Sequence, residues 1–560
     1  MLKLVIQNHI MAMLFGILIL SMTPALVGKL PLTTQQSAFA QNITTMTEAS
    51  SPSPSSTAIN NNTNQNDTNT TTTAGTEIIE ETGLPRQEGF SVRVLATNFS
   101  APHNILYGPD GALWITERVG KNITRVDPSN GSELSTMEVP NVHQSGGQDG
   151  LMGMAFDPDF NNTRYIYVAH TYAEIAGQEV VGQEAAGQDP DEEVDRRTKI
   201  TRFTYDPATN TISEPFDLIT DLSGSVDHNS GRLIFGPDSK LYYTIGDQGN
   251  NQFSRYCFDI QADELPTAEQ VAAQDWYSTY QGKTLRMNSD GSIPEDNPEI
   301  NGVRSHIFTY GHRNHQGIAE GPNGDLYSSE HGDRSDDEVN RLVPGGNYGW
   351  PSIAGHNDEQ SAYQYANWSA AENCEELEFS NISPFPQTMP VMNESEFNAT
   401  TNFVPPVRTF YTVENDYNFS EPAGCGYVCW PTVAPSSVRL YSSDVIPGWN
   451  GTFLMTTLKA GRIFQLTLNE NGTELARDPV ELFRSENRYR DLAFSPDGSS
   501  IYVITDSSGP VQAIIDGDIF PLLEDPGRVS PSSTTELIAS LQNPGSVLEF
   551  KYVGNTTSGP

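Results

Sequence analysis

Positive charge is scarce in this chain: 31 lysines and arginines stand against 71 aspartates and glutamates, a formal net charge of -40 over 560 residues. That excludes nucleic acid and anionic membrane surfaces as partners, because their phosphates would be repelled. Cysteine is scarcer still. The four present form no Cys-x-x-Cys or Cys-x-x-His pattern, which removes the usual zinc and haem readings. Cys425 and Cys429 enclose three residues and suit a small loop-pinning disulfide in an oxidising compartment, whereas Cys257 and Cys374 either pair or stay free. Long apolar runs are limited to one, Ile10 to Met22. From Gln41 to about Glu80 even single large apolar residues nearly vanish.

What is present orders itself from the N-terminus. The run Ile10 to Met22 has the length of a signal-peptide core and is short for a spanning helix. Ala38-Phe39-Ala40 offers a cleavage site, so residues 1–40 read as a signal peptide, with an uncleaved membrane anchor as the alternative. Either exports the body, which is expected to be secreted or extracytoplasmic, and tethered to the cell surface in the anchor case. Residues 41–83, rich in Ser, Thr and Asn, cannot bury a core and read as a disordered tether. Sixteen Asn-x-Ser/Thr sequons, four of them in the tether, suit a glycosylated surface. The folded body spans 84–555.

One unit recurs along that body: an aromatic or apolar residue, a Pro-Asp-Gly type of turn, then an alternating strand expected to be half-buried. Copies run from Tyr107 to Glu117, from Phe156 to Val168, from Phe235 to Asp247, from Gly321 to Glu330, in degenerate form from Gly448 to Met455, and from Phe494 to Asp506. Proline presets each turn and Asp and Gly complete it. Six copies imply an all-β, six-bladed β-propeller with inserted loops. A seventh blade stays open, because the spacing is uneven. Insertions are expected at Ala173–Arg197, at a helical-looking Leu265–Gln281 and at His356–Trp430. Val547–Val553 is expected to close the ring on Phe90–Leu95. The Pro-Asp-Gly copies build the fold and carry no assigned chemistry.

Four polar groups go beyond scaffold. Asp227-His228, in the turn-rich stretch before the third copy, pairs an acid with an imidazole, which is what proton abstraction from an alcohol requires. Gly311-His-Arg-Asn-His-Gln-Gly317 brackets Arg313, able to hold an anion, between two glycines. Glu330-His-Gly-Asp-Arg-Ser-Asp-Asp-Glu338, followed by Asn347-Tyr-Gly-Trp-Pro351, offers carboxylates and carbonyls suited to a hard cation such as calcium. Lys459, Arg488 and Arg490 gather three cations in a strongly acidic chain, which points to a local anion site.

These stretches, with Gly246-Asp-Gln-Gly249, Gly282-Lys-Thr-Leu-Arg-Met-Asn-Ser-Asp-Gly-Ser-Ile-Pro294 and Cys429-Trp-Pro-Thr-Val-Ala-Pro-Ser-Ser437, closely resemble the soluble glucose dehydrogenases that depend on pyrroloquinoline quinone (PQQ), in order from about Phe90 to Tyr552. The resemblance implies oxidation of the C1 hydroxyl of aldoses such as glucose to the lactone, with hydride passing to PQQ and electrons to an external acceptor. It implies His228 as general base with Asp227 fixing its ring, and Arg313 stabilising charge beside a calcium ion. That Ca2+ would be held by the carbonyls of Gly332 and Asp333, the second being an Asp where the family usually has proline. Lys459, Arg488, Arg490, Arg313 and Asn314 would anchor the cofactor. Gln148, Asp227, Gln252, Tyr427 and Trp430 would meet the sugar, the two aromatics on a loop pinned by Cys425–Cys429 and shorter than in the glucose enzyme. A second calcium would use Glu338, Tyr348, Ala354, Asp358 and Glu394. A homodimer stays open. A calcium-dependent lactonase would leave Lys459, Arg488 and Arg490 unexplained, and a non-catalytic binding propeller would predict erosion at Asp227-His228 or Arg313.

Overall fold

A computed structural model describes residues 84–175, 178–179, 194–397, 402–420, 425–513 and 537–554. The expected signal or anchor, the tether, and part of the acidic 173–197 insertion lie outside the described residues. Six antiparallel sheets follow one another along the chain, five with four strands and one, blade 2, with a short fifth strand at Gln178–Glu179. Blade 1 is Pro102–Tyr107, Leu113–Glu117, Asn122–Val126 and Glu133–Glu138. Blade 2 runs from Leu151–Phe156 and Tyr165–Ile175 to Asp195–Asp206 and Thr211–Ser223. Blade 3 comprises Leu233–Phe235, Leu241–Ile245, Lys283–Met287 and Ile307–Tyr310. Blade 4 comprises Asn314–Glu320, Leu326–His331, Asp337–Leu342 and Arg408–Phe410. Blade 5 comprises Pro435–Tyr441, Thr452–Thr457, Ile463–Leu466 and Val480–Leu482. Among the described residues there is no seventh blade.

The sixth sheet closes the ring. Its order is Tyr489–Phe494, Ser500–Thr505, Val547–Tyr552 and then Phe90–Ala96, so the outermost strand comes from the start of the body. The register runs from Phe90 opposite Tyr552 to Ala96 opposite Val547. Every copy of the recurring turn joins the first strand of a blade to its second.

The second strands are not half-buried as their alternation suggests; all of Leu113–Glu117, Leu241–Ile245 and Ser500–Thr505 is buried. Alternation survives, but both faces of a blade meet a neighbour. Leu113 and Ile115 pack toward the last blade with Ile504 and Val547, while Trp114 faces blade 2 with Met154 and Tyr205. Blade 5 repeats the pattern: Phe453 and Met455 meet Tyr327 and Val339 of blade 4, and Leu454 meets Leu492 and Ile501 of blade 6. Each such side chain contributes roughly 1.5–3 kcal/mol, so interblade packing holds the ring.

Polar groups tie the inner strands together. Asp491 is fully buried and accepts from Arg232 Nη1 at 2.7 Å, Arg439 Nη2 at 3.1 Å and the backbone of Ile105 at 3.0 Å. Burial alone would raise this carboxyl, but Arg232 and Arg439 outweigh it and hold it far below its ordinary range. One carboxylate thereby connects blades 1, 3, 5 and 6. Of the insertions, Leu265–Gln281 contains the helix Ala268–Ala273, started by a capping box of Thr267 and Gln270. The His356–Trp430 stretch carries the hairpin Gln364–Ala366 with Val391–Asn393. Cys257 bonds Cys374, fastening the blade 3 insertion to the blade 4 insertion, and Cys425 bonds Cys429.

Candidate active site

Two kinds of connection meet at one end of the ring: those leading from one blade to the next, and those joining the second strand of a blade to its third. Together they enclose a cavity of about 480 Å³, the size of an ordinary cofactor or substrate site. Blade-to-blade segments supply Gln148, Asp227, His228, Arg313, Tyr427, Trp430 and Arg488; the second-to-third connections supply Arg118, Gln252, Gly332, Asp333, Lys459 and Asp506; His331 and Arg490 lie at the ends of strands of blades 4 and 6. All six blades contribute, so the site exists only in the closed ring.

His228 sits in the left-handed region at φ 46°, a conformation that costs a non-glycine residue of the order of 1 kcal/mol. Its Nδ1 lies 2.7 Å from Asp247 Oδ1. Asp247 is fixed in turn by Trp350 Nε1 at 2.8 Å and the Gly249 amide at 2.9 Å. Gly249 has φ 69°, and a Cβ there would press on Asp227. A carboxylate on Nδ1 makes that nitrogen the donor and leaves Nε2 as the acceptor. Nε2 faces the cavity, with the Gln252 amide 3.2 Å away.

The expected role of Asp227 needs correction here. Asp247, not Asp227, orients the ring. Asp227 Oδ2 lies 3.9 Å from Nε2, and its carboxylate accepts from the side-chain amides of Gln148 and Gln252 and from the His228 backbone. In this tight turn the acid caps the next residue's N–H, so it cannot also reach Nδ1.

Arg313 donates from Nη2 to Gln252 Oε1 at 2.9 Å, and its backbone N–H binds Glu330. Its Nε is buried without a partner among the described residues. Asn314 does not reach the cavity: it starts a strand, is fully buried, and accepts from Ser230 Oγ at 3.1 Å. Its Nδ2 has no partner among the described residues.

Across the cavity stands the cation set. Lys459 is buried and donates to the carbonyls of Tyr427 at 3.1 Å and Trp430 at 2.8 Å and to Thr432 Oγ1. Burial lowers its ammonium, and Asp337 opposes that. Arg490 forks onto Asp506 at 2.7 and 3.2 Å, and Arg488 reaches the same carboxylate at 3.4 Å. Burial would raise Asp506, but Arg490 and Arg488 hold it down at about 2. Tyr427 is 52% exposed at the mouth, on the disulfide loop, and Phe253, 55% exposed, lines the cavity with it.

The acidic loop places Gly332 and Asp333 on the cavity wall, and neither residue's carbonyl accepts a hydrogen bond among the described residues. The second expected set forms a separate cluster away from the cavity. Glu338 accepts from Asn340 at 2.7 Å and the Gly355 amide at 2.8 Å, and Glu394 accepts from the amides of Ala354 and Glu359 at 3.2 and 2.9 Å. Asp358 and Asp336 act on Glu394 electrostatically. Asp336, absent from the expected set, is buried within hydrogen bonds from Ser335, Ser361 and Thr412. The carbonyls of Tyr348 and Ala354 accept nothing among the described residues.

The family model for glucose/sorbosone dehydrogenases matches residues 99–400 and 412–513. Quinoprotein glucose dehydrogenase B of Acinetobacter calcoaceticus is 44% identical over 474 residues, covering 83% of this chain and 92% of the relative. An aldose sugar dehydrogenase of Escherichia coli is 27% identical over 422 residues, covering 75% and 90%. The PQQ-bound aldose sugar dehydrogenase of Streptomyces coelicolor shares the fold, with a TM-score of 0.51, 23% identity and coverage of 83% and 99%.

Proposed function

The chain belongs to the glucose/sorbosone dehydrogenase family, and we propose that it is an exported quinoprotein that oxidises the C1 hydroxyl of aldoses to the lactone. One observation carries the reading: an imidazole backed by a buried carboxylate faces, across one cavity, a set of lysine and arginine side chains. A neutral sugar is indifferent to the net charge of -40, whereas a tricarboxylate cofactor needs those cations. A lactonase would have no use for them.

The donor set suits PQQ and Ca2+. Lys459, Arg488 and Arg490 would take its carboxylates, and Arg313, whose Nε is buried and unsatisfied, would supply a further donor to it. Two unengaged carbonyls, Gly332 and Asp333, suit the cation. PQQ when bound supplies a two-electron acceptor for the C1 hydride. The chain supplies the rest: His228 Nε2 takes the hydroxyl proton, and Asp247 stabilises the imidazolium through Nδ1–H. Gln148, Gln252 and Asp227 offer hydrogen bonds to sugar hydroxyls, and Tyr427 and Trp430 offer apolar faces. The direct test is purified protein with Ca2+ and PQQ, an aldose panel and an artificial electron acceptor. Sugar-dependent dye reduction is expected; none with any aldose would overturn the reading.

Glu338, Glu394, Asp358 and the carbonyls of Tyr348 and Ala354 would hold a structural calcium, with Asp336 nearby. Without a cation, burial raises Glu338 and Asp336 and lifts Glu394 from 4.5 to about 7. The folded protein then keeps protons that the unfolded chain releases near pH 4.5, so its stability falls as pH climbs from there through 7. Bound calcium removes that loss. The Tm gap between calcium-loaded and chelated protein should be wider at pH 8 than at pH 5, on the order of 5 °C. Equal gaps at both pH values would count against the site.

Export rests on the signal or anchor read in residues 1–40. No helix among the described residues is long and apolar enough to cross a membrane.

A further inference from the structure

Arg118 lines the same cavity and belongs to none of the cation motifs. It follows directly on the second strand of blade 1, Leu113–Glu117, where the chain turns inward. Its one hydrogen bond is long, from Nη1 to the backbone carbonyl of Asp149 at 3.4 Å. It forms no ion pair among the described residues. The carboxylates close by are already engaged: Asp149 with Arg196 Nε at 3.3 Å and Ser145 Oγ at 2.8 Å, and Asp506 with Arg490 and Arg488. A guanidinium carries five N–H donors in a fixed fork, so most of this one is unspent.

The charge balance is uneven in the same direction. Burial depresses the Arg118 guanidinium and Arg490 and Arg488 add to this, while Asp506 and Asp149 oppose it. Three arginines therefore share this end of the cavity with Asp506, the carboxylate that Arg488 and Arg490 already occupy. Crowding three like charges around one shared carboxylate is costly in a partly desolvated site. A ligand bearing carboxylates would relieve that cost.

We propose that Arg118 is a further binding residue for the cofactor's carboxylates, completing with Arg488 and Arg490 a three-arginine cradle for one end of the molecule. This rests on the reading of the cavity as a PQQ site. Arg118 touches neither the base nor the metal carbonyls, so it acts on binding and not on proton transfer.

The test is direct titration of calcium-loaded protein with PQQ, followed by calorimetry or by quenching of intrinsic tryptophan fluorescence. Arg118→Gln should weaken binding about 10- to 100-fold, the range for a charge-assisted hydrogen bond, and Arg118→Lys should recover part of the loss. The trimethyl ester of PQQ, which lacks the anions, should bind wild type and Arg118→Gln alike. Should Arg118→Gln bind PQQ as tightly as wild type, or lose the same factor toward the ester, the proposal is overturned. If wild type itself fails to bind PQQ, the reading of the whole cavity falls and Arg118 falls with it.

Discussion

His228→Gln is expected to lower kcat for sugar oxidation roughly a hundred- to ten-thousandfold, while the Kd for PQQ changes less than about twofold. Glutamine keeps a hydrogen-bonding group of similar reach but has no lone pair basic enough to take a hydroxyl proton at neutral pH. Asp247→Asn should fall in the same range through a different route. An asparagine can present its NH2 to Nδ1, which moves the imidazole proton to Nε2 and blocks the acceptor. Trp350 Nε1 would still donate to the oxygen of the new amide and fix that orientation, whereas the Gly249 amide, which shares Asp247 Oδ1 with the imidazole, would lose its acceptor. Asp227→Asn should act mainly on KM, because its carboxylate bonds two side-chain amides and not the imidazole nitrogen that is oriented. Stopped-flow turnover with separate cofactor titration checks all three. A collapse of kcat in Asp227→Asn with Asp247→Asn near wild type would reverse the two roles.

The scaffold was legible because its signal is local. A Pro-Asp-Gly turn fixes its own geometry within four residues, and six such turns sit in equivalent places in six blades. The closing strand was legible for the same reason: Phe90–Ala96 and Val547–Tyr552 alternate, and each needs a partner. Burial of the second strands on both faces was not legible, because alternation alone does not say that a second blade covers the polar face. Nor was the Cys257–Cys374 bond, whose partners lie 117 residues apart on two insertions.

Within the site the errors have one physical origin. Sequence neighbours point in different directions along an extended or turning backbone, so the acid beside His228 is the wrong acid, and Asn314 beside Arg313 turns into the wall. The better signal lay in the repeat itself. Four copies end on an acid: Glu117, Asp247, Glu330 and Asp506. Each emerges at the cavity end of a second strand. Glu117 binds Ser100 N and Thr124 Oγ1, Asp247 the His228 imidazole, Glu330 His312 and the Arg313 backbone, and Asp506 the two arginines. A unit treated as scaffold thus ends, in four copies, on an acid that braces its surroundings, eight residues after the turn proline for Glu117 and Glu330 and ten after it for Asp247 and Asp506.

Lys459→Met separates a binding role from a structural one most sharply. The ammonium is buried and is satisfied only by carbonyls and a hydroxyl, with burial pulling its proton affinity down. Methionine replaces the stem in volume and removes the desolvated charge, so the cofactor-free protein should keep its Tm or gain a few degrees. Asp337 stays satisfied by the amides of Gly332, Val433 and Ala434, at 2.9, 2.6 and 2.7 Å. Affinity for PQQ should nevertheless drop on the order of a hundredfold, because a charge-assisted bond to a carboxylate is lost in a dry site. The pH dependence carries a second signature. An ammonium depressed in the free protein regains its proton when an anion binds, so wild-type affinity should decline as pH rises above the depressed value. In Lys459→Met that decline should flatten. A lower Tm with unchanged Kd would make Lys459 a fold residue; a stable variant with weakened, pH-insensitive binding would make it the cofactor's anchor.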